Sequence, residues 1–393
     1  MKKKLLALAI AGVFAAPVAM ADTANVNIYA VANVSFDITN NGTSTAGVAG
    51  TSTNKVSSGQ SRIGFKGSED LGGGTSAIWQ VEQGINIDTC TWGTAARNTF
   101  AGLSSASWGT VLMGRHDTPY KIATRGLDVF ADTIADNRSL MGMSGGGIPV
   151  APGCLAIGAV TGIPNCFNHD QRVDNALAYI SPAMSGFTIA VGYVPGAELA
   201  TNSTQVKGSA VSMAALYNAG PINASLSYQT VSVGSPGTGT MGGTAFAAND
   251  SAKAWKLGGG YTMDAFQVNL VYEKTNSNIA LTGIDVAAQT NWYLAGKFNV
   301  SASDAVKLAY TKAGTNPQAA GAAIVPNSGA KQISLGYDHN MSKRTTLYAL
   351  YTKLSNDSAA FYGLATAVTT GGVNAVGAGA SPSAWSLGMK HTF

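Results

Sequence analysis

The sequence predicts an all-β fold, a 16-stranded antiparallel transmembrane β-barrel. Three observations carry this expectation. Apolar residues recur at every second position along most of the chain. Short turns alternate with long polar loops. Charged residues make up only 11% of the 393 residues, against roughly 25% in a typical soluble protein, yet no later stretch is apolar enough for a membrane helix.

The chain opens with the pattern of a secretory signal. Lys2, Lys3 and Lys4 precede the apolar run Leu5–Ala16 and the small-x-small site Ala19-Met20-Ala21. Residues 1–21 are therefore expected to be a cleaved leader and residues 22–393 the barrel domain. The run has 12 residues, short of the roughly 20 that span a bilayer as a helix. Without the three leader lysines the chain holds 21 basic and 20 acidic residues. A balance of +1 implies no nucleic-acid partner. Export, low charge and the lack of a helical span point to an integral protein of the outer membrane of a Gram-negative cell.

The strands follow from period two. Phe266, Val268, Leu270 and Tyr272 fall on one face, with Gln267, Asn269 and Glu273 on the other. Ile222, Ala224, Leu226 and Tyr228 likewise oppose Asn223, Ser225, Ser227 and Gln229. Trp292, Leu294 and Phe298 oppose Tyr293 and Lys297, and Val306, Leu308 and Tyr310 oppose Lys307 and Thr311. Such segments are half-buried strands. One apolar and one polar face suit a barrel with lipid outside and water inside. A soluble sandwich would turn the polar face outward.

Connections set the strand number. Short turns fall at 70–73, 106–109, 183–186, 218–221, 263–265, 300–303 and 340–344. Long loops fall at 38–60, 89–97, 117–170, 195–207, 233–253, 277–289, 314–330 and 355–382. Fifteen connections require 16 strands, and the even count leaves both termini on the short-turn side. Closure removes the unpaired edges that lipid does not tolerate. A barrel this wide holds an aqueous channel.

The loop from Asp117 to Asp170 is the longest, and a loop of that length needs a functional reason. Within it Asp128, Asp132 and Asp136 recur every four residues, which predicts three carboxylates on one face of a short helix. Phe130 and Ile134 are placed to anchor another face to the barrel wall. Arg62 and Lys66 lie opposite Ile63 and Phe65 in the alternation and are expected to point inward. Arg172 and Asp174 oppose Val173, Leu177 and Tyr179 and are expected inward too, as a pair. Arg115 shares parity with Val111 and Met113, so alternation alone gives it no inward direction.

Cys154 and Cys166 stand 12 apart in one Gly/Pro-rich stretch and are the expected disulfide, with Cys90 free. Of the histidines, His116 and His169 flank the long loop, whereas His339 and His391 fall in a turn and on the last strand. There is no HExxH, no phosphate loop and no Ser/His/Asp set at lipase-like positions. No catalytic activity, metal or cofactor is expected.

Several segments resemble the general porins of β-proteobacteria, the group that includes the neisserial porins. Ser61-Arg62-Ile63-Gly64-Phe65-Lys66-Gly67-Ser68-Glu69-Asp70-Leu71-Gly72 resembles their second strand and first turn. Trp108–Arg115 and Gln171–Pro182 resemble the strands that enter and leave their constriction loop, Gly336–Thr345 their last periplasmic turn, and His391-Thr392-Phe393 their terminus. The resemblance implies a homotrimeric channel of 16 strands with its long third loop folded into the lumen. It also implies that Arg62, Arg115 and Arg172 line the constriction, and that a terminal aromatic such as Phe393 is read by the outer-membrane assembly machinery. Other expected partners are outer-membrane lipid and lipopolysaccharide.

Arginines facing carboxylates across a narrow gap create a transverse field, focused by low-dielectric walls, and such charges tune ion selectivity. Arg62, Lys66, Arg115 and Arg172 against Asp128, Asp132 and Asp136 leave a slight basic excess. The expectation is a passive diffusion channel for small hydrophilic solutes and ions with weak anion preference. The competing reading is a surface-exposed barrel acting in adhesion or in host or phage recognition, whose plugged lumen would carry little current.

Overall fold

Alternation along the chain becomes 16 hydrogen-bonded strands in a computed structural model. It describes residues 25–144, 154–155, 163–195, 208–233, 240–241, 244–245, 251–277, 286–315, 326–365 and 369–393. The expected leader, residues 1–21, lies outside the described residues, as do the side chains of Cys154 and Cys166. Cys90 is a free, exposed thiol.

The strands are β1 (Asn25–Asn40), β2 (Ser52–Ser58 and Arg62–Asp70), β3 (Thr75–Asn86), β4 (Thr91–Ala96 and Thr99–Ser105) and β5 (Gly109–Asp117). A helix, α1 (Pro119–Arg125), follows. Then come β6 (Arg172–Ile180), β7 (Phe187–Val194), β8 (Gly208–Ala219), β9 (Ile222–Val233), β10 (Ser251–Met263) and β11 (Phe266–Ser277). The last five are β12 (Val286–Asn299), β13 (Asp304–Ala313), β14 (Ala330–Asn340), β15 (Thr345–Asn356) and β16 (Ser383–Thr392). Each pairs antiparallel with its neighbours, and β1 closes the ring on β16 from Val31↔Thr392 to Asn40↔Ser383. A closed ring leaves no edge strand.

The two faces separate as the alternation requires. On β9, Leu226 is 55% exposed while Ser227 and Gln229 are buried. Leu270 and Leu308 are exposed on β11 and β13, and Asn269, Glu273, Lys307 and Thr311 are buried. The large apolar side chains therefore face outward and the polar ones inward, as a wall between lipid and water demands.

Two strands are interrupted where the sequence suggested loops only. The first segment of β2 falls inside the expected loop 38–60 and that of β4 inside 89–97. At the β2 break Gln60 takes a positive φ of 58°, and Asn33 bridges the gap by donating to Gly59 O at 2.9 Å. Each of these short segments carries a single large apolar residue on its exposed face, Val56 and Trp92, too few for period two to signal a strand, although their backbones pair with β1 and β3.

The connection after β5 is anchored by a buried cluster. Leu127, Phe130, Ile134, Leu140 and Met141 pack with wall residues Val271, Tyr293, Leu350 and Leu354, and with Tyr362, Leu364 and Val373 of the last connection. A wall glycine makes room for it: a Cβ on Gly336 would stand 2.6 Å from Phe130 Cε1.

Candidate functional site

The segment after β5 starts as a helix for local reasons. Thr118 Oγ1 accepts from Lys121 N–H at 3.3 Å as the N-cap, and Pro119 sits at the first helical position, where its missing N–H is harmless. The helix ends at Gly126. Asp128, Asp132 and Asp136 therefore lie beyond it, on a series of turns, and the expectation of one helical face is corrected. Their short carboxylates satisfy nearby backbone donors instead. Asp128 accepts from Phe130 N–H at 2.9 Å and Asn137 N–H at 3.0 Å. Asp136 accepts from Arg138 N–H at 2.9 Å, and Asp132 adopts a φ of +64°.

The three carboxylates converge on arginines of their own loop. Arg125 reaches Asp132 and Asp136 at 2.7 Å each and Asp128 at 3.5 Å. Arg138 holds Asp136 at 3.0 Å and Asp132 at 3.5 Å. Burial raises the pKa of Asp128, helped by the charge of Asp136. Asp136 is equally buried, yet Arg125 and Arg138 hold it well below the usual carboxylate range. Asp132 is also lowered: burial opposes this, but Arg125 and Arg138 prevail.

One wall arginine joins this group. Arg62 stands 3.9 Å from Asp132 and 3.5 Å from Glu82. Glu82 also binds Arg97 at 2.6 Å and accepts from Tyr29 Oη–H at 3.0 Å. The loop backbone touches the wall here, because Asn33 donates to Asp132 O at 2.8 Å. A Cβ on Gly59 would lie 2.5 Å from that same oxygen, so the close approach depends on glycine.

Arg172 belongs to a neighbouring pair of contacts. It binds Asp117 at 3.0 Å and donates to Asn98 Oδ1 at 2.6 Å. Lys121 binds the same Asp117 at 2.7 Å, and burial lowers the lysine to about 8. Asp174 does not pair with Arg172. It pairs with Arg115, because a bulge between Val173 and Ala176 shifts the β5–β6 register. The bulge also breaks the parity reading: Val173 is buried with Ala176 and Ala178, whereas Leu177 and Tyr179 are exposed. Arg115 contacts none of the Glu82, Asp132 or Asp117 carboxylates. Lys66 is exposed, with its ammonium 5.3 Å from the centre of the Tyr29 ring.

Sequence reasoning missed Glu82, Arg97, Lys121, Arg125 and Arg138. Glu82 was legible, since it lies on the face opposite Val81 of β3. Arg97 sits at a strand break and Arg138 in a turn, where alternation says nothing.

A second buried network ties the long connection to β10–β12. Tyr120 Oη–H donates to Glu273 at 2.6 Å, and Gly142 N–H donates to its other oxygen at 2.8 Å. Lys256 binds Asp170 at 2.6 Å. His169 packs on Tyr120 while His116 packs on Phe100. Among the described residues no group of three metal-ligating side chains occurs.

Residues 6–359 match the model of a family described as Gram-negative porin. The chain is similar to outer membrane porin protein 32 of Delftia acidovorans, 29% identical over the full length of both. It is also similar to major outer membrane protein P.IB of Neisseria meningitidis, 44% identical over 31% of this chain and 35% of the relative. Among solved structures, an anion-selective porin from Comamonas acidovorans superimposes with a TM-score of 0.73 at 25% identity, covering 94% of this chain and all of that one. The trimer form of OmpT from Vibrio cholerae gives 0.65 at 14% identity, over 95% of this chain and all of that one, and supports the fold alone.

Proposed function

The chain belongs to the Gram-negative porin family and is a porin integral to the outer membrane, and from that premise we propose that it is a weakly anion-preferring passive diffusion channel for small hydrophilic solutes and ions. In this reading the segment from Lys121 to Arg138 lies in the lumen and forms the constriction with Arg62, Lys66, Arg97 and Arg172. The observation that carries it is the Arg62 contact, which joins wall and loop charges in one group. Likeness to a porin whose own description is anion-selective supports the sign. The channel is proposed to work as a homotrimer, as the family resemblance implies.

The roles of the carboxylates differ in this proposal. Asp128 and Asp136 are buried and hold the loop together, so Asp132 is the acid that contributes field at the passage. The test is reversal potential under a KCl gradient at low ionic strength, where screening is weak. Arg62→Gln with Arg172→Gln should move it toward cations while single-channel current persists. An unchanged reversal potential removes these residues from the narrowest passage, and a wild-type protein that carries no current removes the channel reading itself.

A further inference from the structure

Three residues stand in one row across the inner wall. Tyr29 of β1, Gly64 of β2 and Glu82 of β3 are direct cross-strand partners in turn. Val26 and Ile28 are exposed on the outward face of β1, so Tyr29 points inward. A Cβ on Gly64 would run into the Tyr29 ring, so the ring lies across bare backbone that only glycine leaves open. Glu82 fixes it there by accepting from its Oη–H at 3.0 Å. Tyr348 of β15 lies over its partner Gly388 of β16 in the same way, but that ring is packed against the buried cluster of the long connection. Tyr29 belongs to no such cluster among the described residues and is only half-buried. One face of its ring is left to the lumen.

Cations flank that face. Arg62 and Lys66 stand two residues to either side of Gly64 on the same face of β2, each about 7 Å along the wall from the level of the ring. Lys66 is exposed, holds its ammonium 5.3 Å from the ring centre, and forms no ion pair among the described residues. Glu82 does little to balance it, because its carboxylate already serves Tyr29, Arg97 at 2.6 Å and Arg62 at 3.5 Å. An open aromatic face framed by cations suits a solute that is at once a flat ring and an anion. Chloride would use only the cations, and a neutral sugar only the ring.

We propose that Tyr29 and Lys66 form a subsite for aromatic carboxylates, on the short-turn side of Arg62. The solute ring stacks, offset, on Tyr29, and Lys66 swings from the ring face to the carboxylate. That exchange costs little, because an exposed cation–π contact is weak. The proposal rests on the aqueous lumen of the channel reading and not on its preference for chloride over potassium. It names a solute class that the passage holds in transit.

The test is block of single-channel KCl current in planar bilayers by three probes. Benzoate has both features, cyclohexanecarboxylate keeps the charge and ring size without the flat face, and benzamide keeps the face without the charge. Wild type should bind benzoate about two- to tenfold more tightly than cyclohexanecarboxylate, the range of an offset aromatic pair. Tyr29→Leu should erase that ratio, as should Gly64→Ala, which drives the ring from its seat, whereas Tyr29→Phe should keep it. Lys66→Gln should weaken both carboxylates by about two- to fivefold and leave benzamide unmoved, which a mere change of pore shape would not do. Equal block by benzoate and cyclohexanecarboxylate overturns the subsite, and so does a ratio that survives Tyr29→Leu. Stronger block by glucose than by benzoate at equal concentration assigns the ring to sugars and overturns the carboxylate class. Saturation-transfer NMR on the detergent-solubilised protein reads the contact without current. Transfer to the benzoate ring protons that is lost in Tyr29→Leu, in a protein that passes no current, supports the subsite while refuting the channel reading; no transfer in wild type overturns the subsite.

Discussion

Replacing Arg125 with Gln should loosen the loop without unfolding the barrel. Arg125 is the shared counter-ion of Asp128, Asp132 and Asp136, and two of those carboxylates are fully buried. Removing one partner of a buried ion pair costs about 3–5 kcal/mol. Arg138 still holds Asp136 and Asp132, which argues for the lower end, about 3 kcal/mol. Local opening should then be favoured by roughly a hundredfold, since each tenfold corresponds to about 1.36 kcal/mol. Hydrogen exchange of the amides of residues 127–140 reads this directly, with the β10–β12 amides as the internal control. The pH dependence supplies a second check. Asp132 and Asp136 have folded pKa values below their unfolded ones, so their stabilising contribution is present above the unfolded value and lost as pH falls. The gap between wild type and variant should be largest at neutral pH and shrink below about pH 4. Arg125→Lys should rescue only part, because an ammonium cannot reproduce the planar fork. Equal exchange at pH 7, or a gap that stays constant on acidification, refutes the reasoning.

Gly336→Val should push Phe130 from its seat, because even a Cβ would stand 2.6 Å from the ring; emptying the seat of a buried Phe costs about 3–5 kcal/mol. Planar-bilayer recordings should then show noisier current, and quiet wild-type traces would count against the anchoring role of Phe130. Anion preference should fall as pH rises from 7 to 9, because buried Lys121 titrates at about 8 and its neutral form removes one positive charge. Lys121→Gln should show the high-pH reversal potential already at pH 7, and a wild-type value that is flat across this range excludes Lys121 from the field. Phe393→Ser should lower outer-membrane yield while leaving the conductance of inserted channels unchanged. Equal yields of the two proteins would remove the assembly-signal role.

The barrel was legible because one rule, apolar out and polar in, acts on most of its strands. Residues such as Leu226 and Gln229 obey it without tertiary help. The rule fails where backbone geometry departs from two residues per repeat. The bulge at Val173–Ala176 reassigned Val173 and gave Asp174 to Arg115. Four-residue spacing of Asp128, Asp132 and Asp136 suggested a helix, but spacing cannot distinguish a helical face from carboxylates that cap successive turns. Asp and Asn compete for backbone donors in this way, and Gly126 had already ended the helix. The pairing of each charge depends on which strand lies next to the loop, and that information is not local.

Counting by contact rather than by sequence changes the expected field. Arg62, Arg97, Arg125 and Arg138 are held in one chain of contacts with Glu82, Asp128, Asp132 and Asp136, and Lys121 and Arg172 share Asp117 in a second group. Six cations face five carboxylates, and exposed Lys66 adds a seventh cation near Arg62. The excess is therefore small because most charges are spent on one another, not because few are present. A densely paired group gives a short-range field, strong within a few ångströms of Arg62 and Lys66 and weak beyond. With a Debye length near 10 Å at 0.1 M and about 3 Å at 1 M, such a field reaches across a narrow passage only in dilute salt. Preference for anions should thus collapse with ionic strength more steeply than in a pore lined by unpaired arginines, and removing Asp132, which neutralises Arg62 at the wall, should raise it.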